Sequence, residues 1–333
     1  MSADVAPPTS VLLRADGILL EVLTAGAAVR RLEVPAPDGR TVGIVLGHAD
    51  ARTYVTAGGY LGATIGRFGN RIAGASFELG GQTHRLSANE GTTTLHGGLD
   101  GFDHRPWTIV DQDASRVHFG LHSPDGDQGF PGALDVTVTY AVGPGLVRID
   151  YEATADGDTL VNLTNHSYFN LDGEGSGPVD GHELTLSAGR FTPTDALLIP
   201  TGEVRRVDGT PFDFRAPRRV GEALAHRDEQ LEHGQGLDHN FVVDGEGLRH
   251  VATLRGRSGL TLDVDSDQPG VQVYTGAHFD GTVTGTSGTA YGPRSGIALE
   301  TQGFPDAPHH PGFPSTVLRA GEILRSTTVW RLR

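Results

Sequence analysis

Short runs in which apolar and polar residues alternate occur along almost the whole sequence, and they limit what it can fold into. Residues 17–23 and 28–34 form two such runs, and Pro35 and an Asp38-Gly39 turn follow the second. A period of two is typical of β-strands that bury one face, and glycine and proline mark the turns between them. The 48 glycines and 19 prolines of the chain fit many turns. The pattern therefore predicts short strands joined by hairpins.

Strands continue towards the end of the chain, whereas helical periodicity is scarce. A hairpin is predicted over residues 76–86, further strands over residues 117–122, 134–142 and 146–153, and one short helix over residues 220–231. We find no repeat of fixed period, no linker and no break in composition that would separate two domains. We therefore expect an all-β fold, a large antiparallel β-sandwich with few short helices, in a single domain of residues 1–333.

Composition excludes several classes of function. The net charge of −15 argues against a nucleic-acid partner, because the phosphates of DNA and RNA would be repelled. The chain contains no cysteine, which excludes disulfides, thiolate metal sites and a cysteine nucleophile. It also contains no lysine, so all 26 basic residues are arginines. A Schiff base to a carbonyl group and a P-loop lysine are thereby excluded.

No targeting or membrane segment is recognisable in the sequence. Residues 1–10 lack a basic stretch followed by an apolar core, and no apolar run approaches the ~20 residues that a membrane-spanning helix requires. We expect no membrane partner and a cytoplasmic location.

Polar side chains suited to recognition lie on one side of residues 161–173. With a period of two, these residues share that side: Asn162, Thr164, His166, Tyr168 and Asn170. Solvent-facing strand positions usually carry Lys, Glu and Thr, whereas His, Tyr and Asn offer directional donors and acceptors. A histidine that bonds only to nearby backbone groups is an equally good interpretation of this segment by itself.

Two glycine-rich segments supply further candidates. In residues 62–74, glycines bracket Asn70 and Arg71, and arginine presents a planar fork of donors suited to hydroxyl or carboxylate oxygens. In residues 89–98, His96 precedes two glycines. Each has a structural alternative, since an arginine often ties a loop to backbone carbonyls and a histidine is more often structural.

Three candidates lie in predicted strands. Asp238 opens an apolar run, where capping a turn is its alternative role. Glu300 alternates with Ile297 and Leu299 in a run that otherwise resembles a buried strand, and a buried glutamate is rare unless it is paired or functional. Gln272 lies on the polar side of a third strand.

The order of these segments resembles that of one family. The aldose 1-epimerase (galactose mutarotase) family contains, in the same order, segments similar to GATIGRFGNRIAG, TLHGG, VNLTNHSYFNLDG, LDHNFVV, GVQVYTG and ALETQGFPDAP. Each segment is weak evidence singly, but six in order are specific. The resemblance extends over roughly residues 60–322. It implies a galactose mutarotase-like supersandwich with an open sugar-binding cleft, in agreement with the strand pattern.

The resemblance also implies roles for individual residues. The general base of the family is the Glu of its Glu-Thr-Gln segment, here Glu300, and the general acid is the His of its Asn-His-Ser-Tyr-Phe segment, here His166. Residues that match the sugar-binding and oxygen-stabilising groups of the family are Asn70, Arg71, His96, Asp238 and Gln272. Neither a metal nor a cofactor is implied.

The implied activity is the interconversion of the α and β anomers of hexopyranoses such as glucose and galactose. The C1 hydroxyl loses a proton while the ring oxygen gains one, so that the ring opens and closes again on the other face. We expect burial to raise the pKa of Glu300 and nearby carboxylates to keep His166 protonated. The expected partner is a neutral monosaccharide, and the expected assembly is a monomer or a weak homodimer.

Three alternatives remain open from sequence. Asp238 and Glu300 would suit a glycoside hydrolase, which uses two carboxyl groups. The same cleft would also suit a non-catalytic sugar-binding or sensing module, or an enzyme for sugar phosphates. Two positions depart from the family pattern: Phe68 lacks a hydroxyl expected at the pocket rim, and His309-His310 are expected to point to opposite faces of a strand and not to form a metal pair.

Overall fold

The computed structural model describes residues 7–56 and 59–333, and most of its regular structure is strand. The strands are β1 (Ser10–Ala15), β2 (Ile18–Leu23), β3 (Val29–Pro35), β4 (Thr41–Gly43), β5 (Thr64–Ile65), β6 (Arg71–Ile72), β7 (Ser76–Leu79), β8 (Gln82–Arg85), β9 (Thr94–Leu95), β10 (Thr108–Gln112), β11 (Arg116–Ser123), β12 (Leu134–Gly143), β13 (Leu146–Ala155), β14 (Thr159–Leu160), β15 (Thr164–Asn165), β16 (Tyr168–Phe169), β17 (Glu183–Leu186), β18 (Arg190–Thr192), β19 (Arg205–Arg206), β20 (Arg218–Arg219), β21 (Asp238–Val242), β22 (Arg249–Arg255), β23 (Thr261–Ser266), β24 (Gly270–Tyr274), β25 (Ile297–Gln302), β26 (Val317–Leu318) and β27 (Ile323–Leu332). The helices are α1 (Thr53–Thr56), α2 (Val220–Leu224) and α3 (Glu229–His233), and 3₁₀ turns cover Ala73–Ala75, Asp127–Gly129, Val179–Gly181 and Ala307–His309.

The strands predicted from alternation are confirmed at β2, β3, the β7–β8 hairpin, β11, β12 and β13. The single helix predicted over residues 220–231 is wrong, because two short helices, α2 and α3, occupy that region. The side chain of Asp228 accepts a hydrogen bond from the backbone N–H of Gln230 and caps the start of α3. A cap at that position begins a new helix and does not continue the preceding one.

Two large sheets dominate the fold. One has nine strands in the order β10-β11-β12-β13-β27-β23-β22-β17-β20, and the other has six in the order β16-β25-β24-β21-β18-β19. A four-stranded sheet, β1-β2-β3-β4, and several two-stranded pairs complete the structure. The pairings within both large sheets are antiparallel. The prediction of an all-β, antiparallel sandwich is therefore confirmed.

Side chains from both large sheets form one hydrophobic core. Alternate residues of β12 and β13 are buried, as expected for strands that cover the core with one face. Trp330 of β27 packs edge-on against Phe169 of β16, with 5.0 Å between the ring centroids. This contact joins the centre of the nine-stranded sheet to the edge of the six-stranded sheet.

The six-stranded sheet differs from the nine-stranded sheet because its central strands are buried on both faces. All six residues of β25 are buried. Ile297 and Leu299 belong to the core, so Ala298, Glu300 and Gln302 lie on the opposite face. Polar side chains on that second face are covered by loops and by short two-stranded sheets, among them β6–β9. This covered polar face is where the candidate site lies.

The structure bears on two further expectations. Within residues 7–56 and 59–333, no helix combines the length and the apolar character that crossing a bilayer requires. Residues 1–6 and 57–58 of the expected domain lie outside the described part of the chain.

The Trp330 contact generates a stability prediction. Trp330→Ala removes a buried indole between the two sheets, and we expect the free energy of unfolding to fall by about 3–5 kcal/mol. Urea denaturation followed by circular dichroism measures the change. Arg331→Gln, an exposed position on the same strand, serves as the control and is expected to change stability by about 0.5 kcal/mol or less. Equal losses in both variants would contradict the packing role of Trp330.

Candidate active site

The predicted site residues converge on one cavity. A cavity of about 210 Å³ lies over the polar face of the six-stranded sheet. Six of the seven predicted residues line it: Asn70, Arg71, His96, His166, Asp238 and Glu300. The seventh, Gln272, lies just behind the wall and donates a hydrogen bond from Nε2 to Oδ1 of Asp238 over 2.6 Å. Residues from opposite ends of the sequence are thus brought together.

Strand register explains how the sheet presents its share of these groups. Tyr168, Ala298, Tyr274 and Asp238 are paired in succession across β16, β25, β24 and β21. Residues two positions apart share a face, so Glu300 and Gln272 form a second row on the same side. A one-residue shift in the register of one strand would turn the side chains that this strand contributes into the core.

Glu300 and His166 form the centre of the site. Nε2 of His166 lies 3.5 Å from Oε1 of Glu300, and both side chains are almost fully buried, at 4% and 2% exposure. The backbone of His166 is fixed on both sides, because its N–H donates to the carbonyl of Ala63 and its carbonyl accepts from the N–H of Gly62, each at 2.9 Å. The imidazole is therefore held beside a strand that carries the carboxyl group.

Burial disfavours the charged form of both partners. It raises the pKa of Glu300 well above its usual value; the charge of Asp238 raises it further and Arg71 opposes the rise. Burial lowers the pKa of His166 to about 3. The expectation that carboxylates keep His166 protonated is therefore wrong for the sugar-free protein, because desolvation is the dominant influence on its pKa. The expected rise in the pKa of Glu300 is confirmed in direction.

Arg71 is held by two carboxylates. Its Nε and one terminal nitrogen donate to both oxygens of Glu90, over 2.6 and 2.8 Å. The other terminal nitrogen lies 3.8 Å from Oδ2 of Asp238. The bidentate contact fixes the plane of the guanidinium group. Burial raises the pKa of Asp238, whereas Arg71 and Gln272 lower it. Arg71 therefore presents its remaining donors to the cavity in one orientation.

His96 and Asn70 are joined by reciprocal hydrogen bonds. The N–H of Asn70 donates to Nδ1 of His96, and the N–H of His96 donates to the carbonyl of Asn70, each over 3.0 Å. Both residues have left-handed backbone conformations, with φ of 66° and 52°. Since Nδ1 accepts a hydrogen bond, the ring proton resides on Nε2. Burial lowers the pKa of His96 well below its usual value, so the ring is a neutral donor.

Three potential metal ligands cluster in the cavity. Donor atoms of His96, His166 and Glu300 lie within 4.8 Å of one another. A histidine ligand normally donates its second ring N–H to an acceptor, but Nδ1 of His96 itself accepts from Asn70. Nε2 therefore carries a proton and offers no lone pair to a cation. This chemistry suits a hydrogen-bonded ligand better than a metal ion.

The sequence suggested two roles for an arginine in residues 62–74, namely binding ligand oxygens or tying a loop to backbone carbonyls, and the two arginines of this segment differ in which role they suit. Arg67 is the arginine that ties a loop to carbonyls: it is 2% exposed and donates to the backbone oxygens of Ser123, Pro124 and Gly132. Arg71 faces the cavity instead. Phe68 is fully buried in a hydrophobic cluster with Phe77, so the expectation that it affects the pocket rim is wrong.

His309 and His310 do not point to opposite faces. Residues Ala307–His309 form a 3₁₀ turn and not a strand, so strand alternation does not apply. Nδ1 of His309 and Nε2 of His310 both approach the buried carboxylate of Asp306, at 2.6 and 3.3 Å. The N–H of Asp306 donates to the carbonyl of Arg71, and its Oδ1 accepts from the N–H of Ala73. Asp306 thus holds the backbone on both sides of the Arg71 side chain.

The cavity wall includes polar residues that the sequence did not identify, among them Tyr60, Glu90 and His278. Glu90 lies in the same segment as His96. A buried arginine needs a carboxylate partner, and this requirement could have identified Glu90 as the partner of Arg71. Tyr60 and His278 lie in loops without periodicity. The ring of Tyr60 lies 4.5 Å from that of His96, a contact that no pattern in the sequence reveals.

Comparison with known proteins identifies relatives along the chain. A family model described as aldose 1-epimerase matches residues 9–331. The chain is 42% identical over 320 residues to galactose mutarotase of Bos taurus, covering 95% of this chain and 91% of that protein. It is also 42% identical over 312 residues to aldose 1-epimerase of Haemophilus influenzae, covering 92% and 90%.

Solved structures agree with the sequence comparison. An aldose epimerase homologue from C. elegans superposes with a TM-score of 0.91 at 28% identity, covering 98% of this chain and 99% of that chain. Galactose 1-epimerase from Lactobacillus acidophilus gives a TM-score of 0.88 at 28% identity, covering 100% and 96%. With the matching family model and the relatives at 42% identity, these structures show that the chain belongs to the aldose 1-epimerase family.

Proposed function

We propose that the protein is an aldose 1-epimerase that interconverts the α and β anomers of hexopyranoses such as glucose and galactose. The observation that carries the proposal is the pair of Glu300 and His166, 3.5 Å apart and buried at the floor of a cavity with fixed polar groups. The names of its relatives, galactose mutarotase and aldose 1-epimerase, support the same activity.

The reaction needs one proton acceptor and one proton donor. Glu300 accepts the proton of the C1 hydroxyl while His166 delivers a proton to the ring oxygen, so the C1–O5 bond breaks and an open-chain aldehyde forms. Rotation about C1–C2 presents the other face of the carbonyl, and closure with the roles reversed gives the other anomer. The number of protons on the pair is unchanged by each step.

In the sugar-free site, Glu300 and His166 are both neutral and together already hold the proton that the reaction requires. Because burial favours neutral Glu300 and neutral His166, the pair carries one proton, which is also the number in a carboxylate–imidazolium pair. Arg71 lowers the pKa of Glu300 and so favours transfer of that proton to His166. The two groups therefore exchange roles without taking a proton from solvent.

The remaining polar groups bind and orient the sugar. Arg71 and Nε2–H of His96 are fixed donors for oxygens on which charge develops as the ring opens. Asp238 accepts from sugar hydroxyls while Gln272 holds its Oδ1. Asn70 fixes His96 and, through Oδ1, accepts the N–H of Arg71 over 2.9 Å. The cost of ordering these donors is met when the protein folds and not when the sugar binds.

The charge of the cavity wall supports a neutral substrate. Glu90 and Asp238 line the cavity together with Arg71 and with Glu300, whose neutral form burial favours. A phosphate group would face these acidic side chains, and the guanidinium of Arg71 is already paired with Glu90. A hexose offers hydroxyl groups that donate to carboxylates and accept from the arginine. This arrangement favours a free sugar over a sugar phosphate.

We also propose that residues 1–333 form a single domain. Support comes from the single family model that spans residues 9–331 and from the hydrophobic core shared by both large sheets.

The proposed base generates the first activity prediction. In Glu300→Gln the side chain keeps its size but cannot accept the C1 proton, so we expect kcat to fall by about 10²- to 10⁴-fold. Polarimetry of freshly dissolved α-glucose and α-galactose measures the rate. The matched substitution Glu152→Gln, at a partly exposed position of β13, should leave the rate unchanged. A wild-type protein that leaves anomerisation at the buffer rate would refute the proposed function.

The proposed acid generates a second prediction. His166→Asn retains a polar group in the buried position but supplies no titratable proton, and we expect a loss of kcat of about 10²- to 10⁴-fold with sugar binding retained. Binding is measured by calorimetry with galactose. Full turnover in this variant would show that another group protonates the ring oxygen, even if Glu300 proves essential.

The charge of Asp238 generates a prediction about pH. A pair that holds one proton is active, and kcat/KM falls as pH rises through the pKa of Glu300, because the pair then loses that proton. Asp238 raises this pKa, so Asp238→Asn should move the alkaline fall to lower pH. Polarimetric rates across the neutral and alkaline range, corrected for buffer catalysis, measure the shift. An alkaline limb unchanged from wild type would contradict the coupling of Asp238 to Glu300.

A further inference from the structure

His278 lines the cavity at its exposed side and belongs to none of the roles assigned above. Its ring lies beside Tyr274, with 2.8 Å between Nδ1 and the phenol oxygen. The backbone N–H of His278 donates to the same oxygen over 3.2 Å. Among the described residues, the hydrogen of the phenol hydroxyl has no acceptor other than Nδ1, so we assign the hydroxyl as the donor to Nδ1. Nδ1 is then the acceptor, and the ring proton resides on Nε2.

The imidazole of His278 is oriented although it is exposed. It stacks on the ring of Tyr274 with 5.7 Å between centroids and an interplanar angle of 13°. The next residue, Phe279, is buried and packs edge-on against Tyr168 and Tyr291, at 5.0 and 5.8 Å. The loop is therefore anchored directly beside His278. A donor whose orientation is fixed before binding loses little entropy when a ligand arrives.

The Nε2–H group has no role within the described protein. Within residues 7–56 and 59–333, no group forms a hydrogen bond with Nε2 of His278, whereas Nδ1 is occupied by Tyr274. Partial burial lowers the pKa of His278, which keeps the ring neutral at neutral pH, although Asp280 opposes this effect. His278 thus presents a neutral, oriented donor to the cavity beside the aromatic side chains Tyr168 and Tyr274.

We propose that Nε2–H of His278 donates a hydrogen bond to a hydroxyl oxygen of the sugar other than the one on C1, and so helps to determine which aldoses bind. This inference rests on the proposed function. The C1 hydroxyl and the ring oxygen are taken by Glu300 and His166, which leaves the hydroxyls elsewhere on the ring or on C6 for His278. An oriented neutral donor suits a hydroxyl oxygen, which is an acceptor without charge.

The test compares His278→Phe and His278→Gln with wild type. Phenylalanine keeps the stacking surface and removes the donor, whereas glutamine places an amide N–H near the position of Nε2. We expect His278→Phe to raise KM by about 3- to 15-fold, the effect of one lost hydrogen bond, with a smaller change in kcat. His278→Gln should recover part of the loss. His122→Phe, at an exposed position of β11, is the matched control and should match wild type.

Deoxy sugars identify the hydroxyl that His278 contacts. Polarimetric kcat/KM values are measured for galactose and for its 2-, 3-, 4- and 6-deoxy analogues with wild type and His278→Phe. For the analogue that lacks the hydroxyl contacted by His278, we expect kcat/KM to be lower than that of galactose with wild type but similar to it with His278→Phe, because the variant has no donor for that hydroxyl. If every analogue keeps its disadvantage, or if KM of His278→Phe equals that of wild type, the inference is wrong.

Tyr274→Phe separates contact with the sugar from a structural role. If Tyr274 orients the imidazole, the double variant with His278→Phe should lose less than the product of the two single losses. Thermal unfolding midpoints near that of wild type exclude misfolding as the cause. Failure of the proposed function is distinguished at the outset, since wild type itself would then fail to accelerate anomerisation, whatever residue stands at position 278.

Discussion

The burial of a carboxyl group and an imidazole on the same face of a sheet is the constraint on which the site depends. Glu300 and His166 are both almost fully buried, and among the described residues Oε2 of Glu300 and Nδ1 of His166 have no hydrogen-bond partner that would replace water. Such burial costs stability, because desolvation disfavours the charged form of each group. The large hydrophobic core beneath β24 and β25 offsets that cost. The same desolvation raises the pKa of Glu300 and lowers that of His166, so the proton of the sugar-free pair resides on Glu300.

Arginine geometry organises the part of the cavity wall around Asp238. With no lysine in the chain, arginine is the basic side chain that stays charged at any ordinary pH, and it presents a planar guanidinium group. Arg67 donates hydrogen bonds to backbone carbonyls and so fixes the loop. Arg71, four residues later, donates to Glu90 and faces Asp238. Asp306 holds the backbone around Arg71 and follows Glu300 in the same segment of chain. The position of the guanidinium is thus tied to the strand that carries the carboxyl group.

Sequence predicted what depends on periodicity and missed what depends on loops. The period of two located the strands, and a polar residue among apolar neighbours identified Glu300. The roles of Asn70 and His96 came from resemblance to a family and not from pattern. His278 and Tyr60 escaped notice because loop conformation, not strand alternation, brings them to the cavity. The prediction of a single helix over residues 220–231 was wrong because Asp228 caps a second, separate helix. The prediction that His309 and His310 point to opposite faces was wrong because a 3₁₀ turn lies where a strand was assumed.

The place of β27 has a consequence for how the chain assembles. The strands β10–β13 and the strands β17, β20, β22 and β23 form two halves of the nine-stranded sheet, and β27 alone pairs with both. Each half can form hairpins from local contacts during translation. The two halves can join into one sheet only after β27 has been translated, because β27 follows all of these strands in the sequence. Contacts so distant in sequence fold slowly, so the two exposed inner edges, β13 and β23, are open to mispairing in the nascent chain.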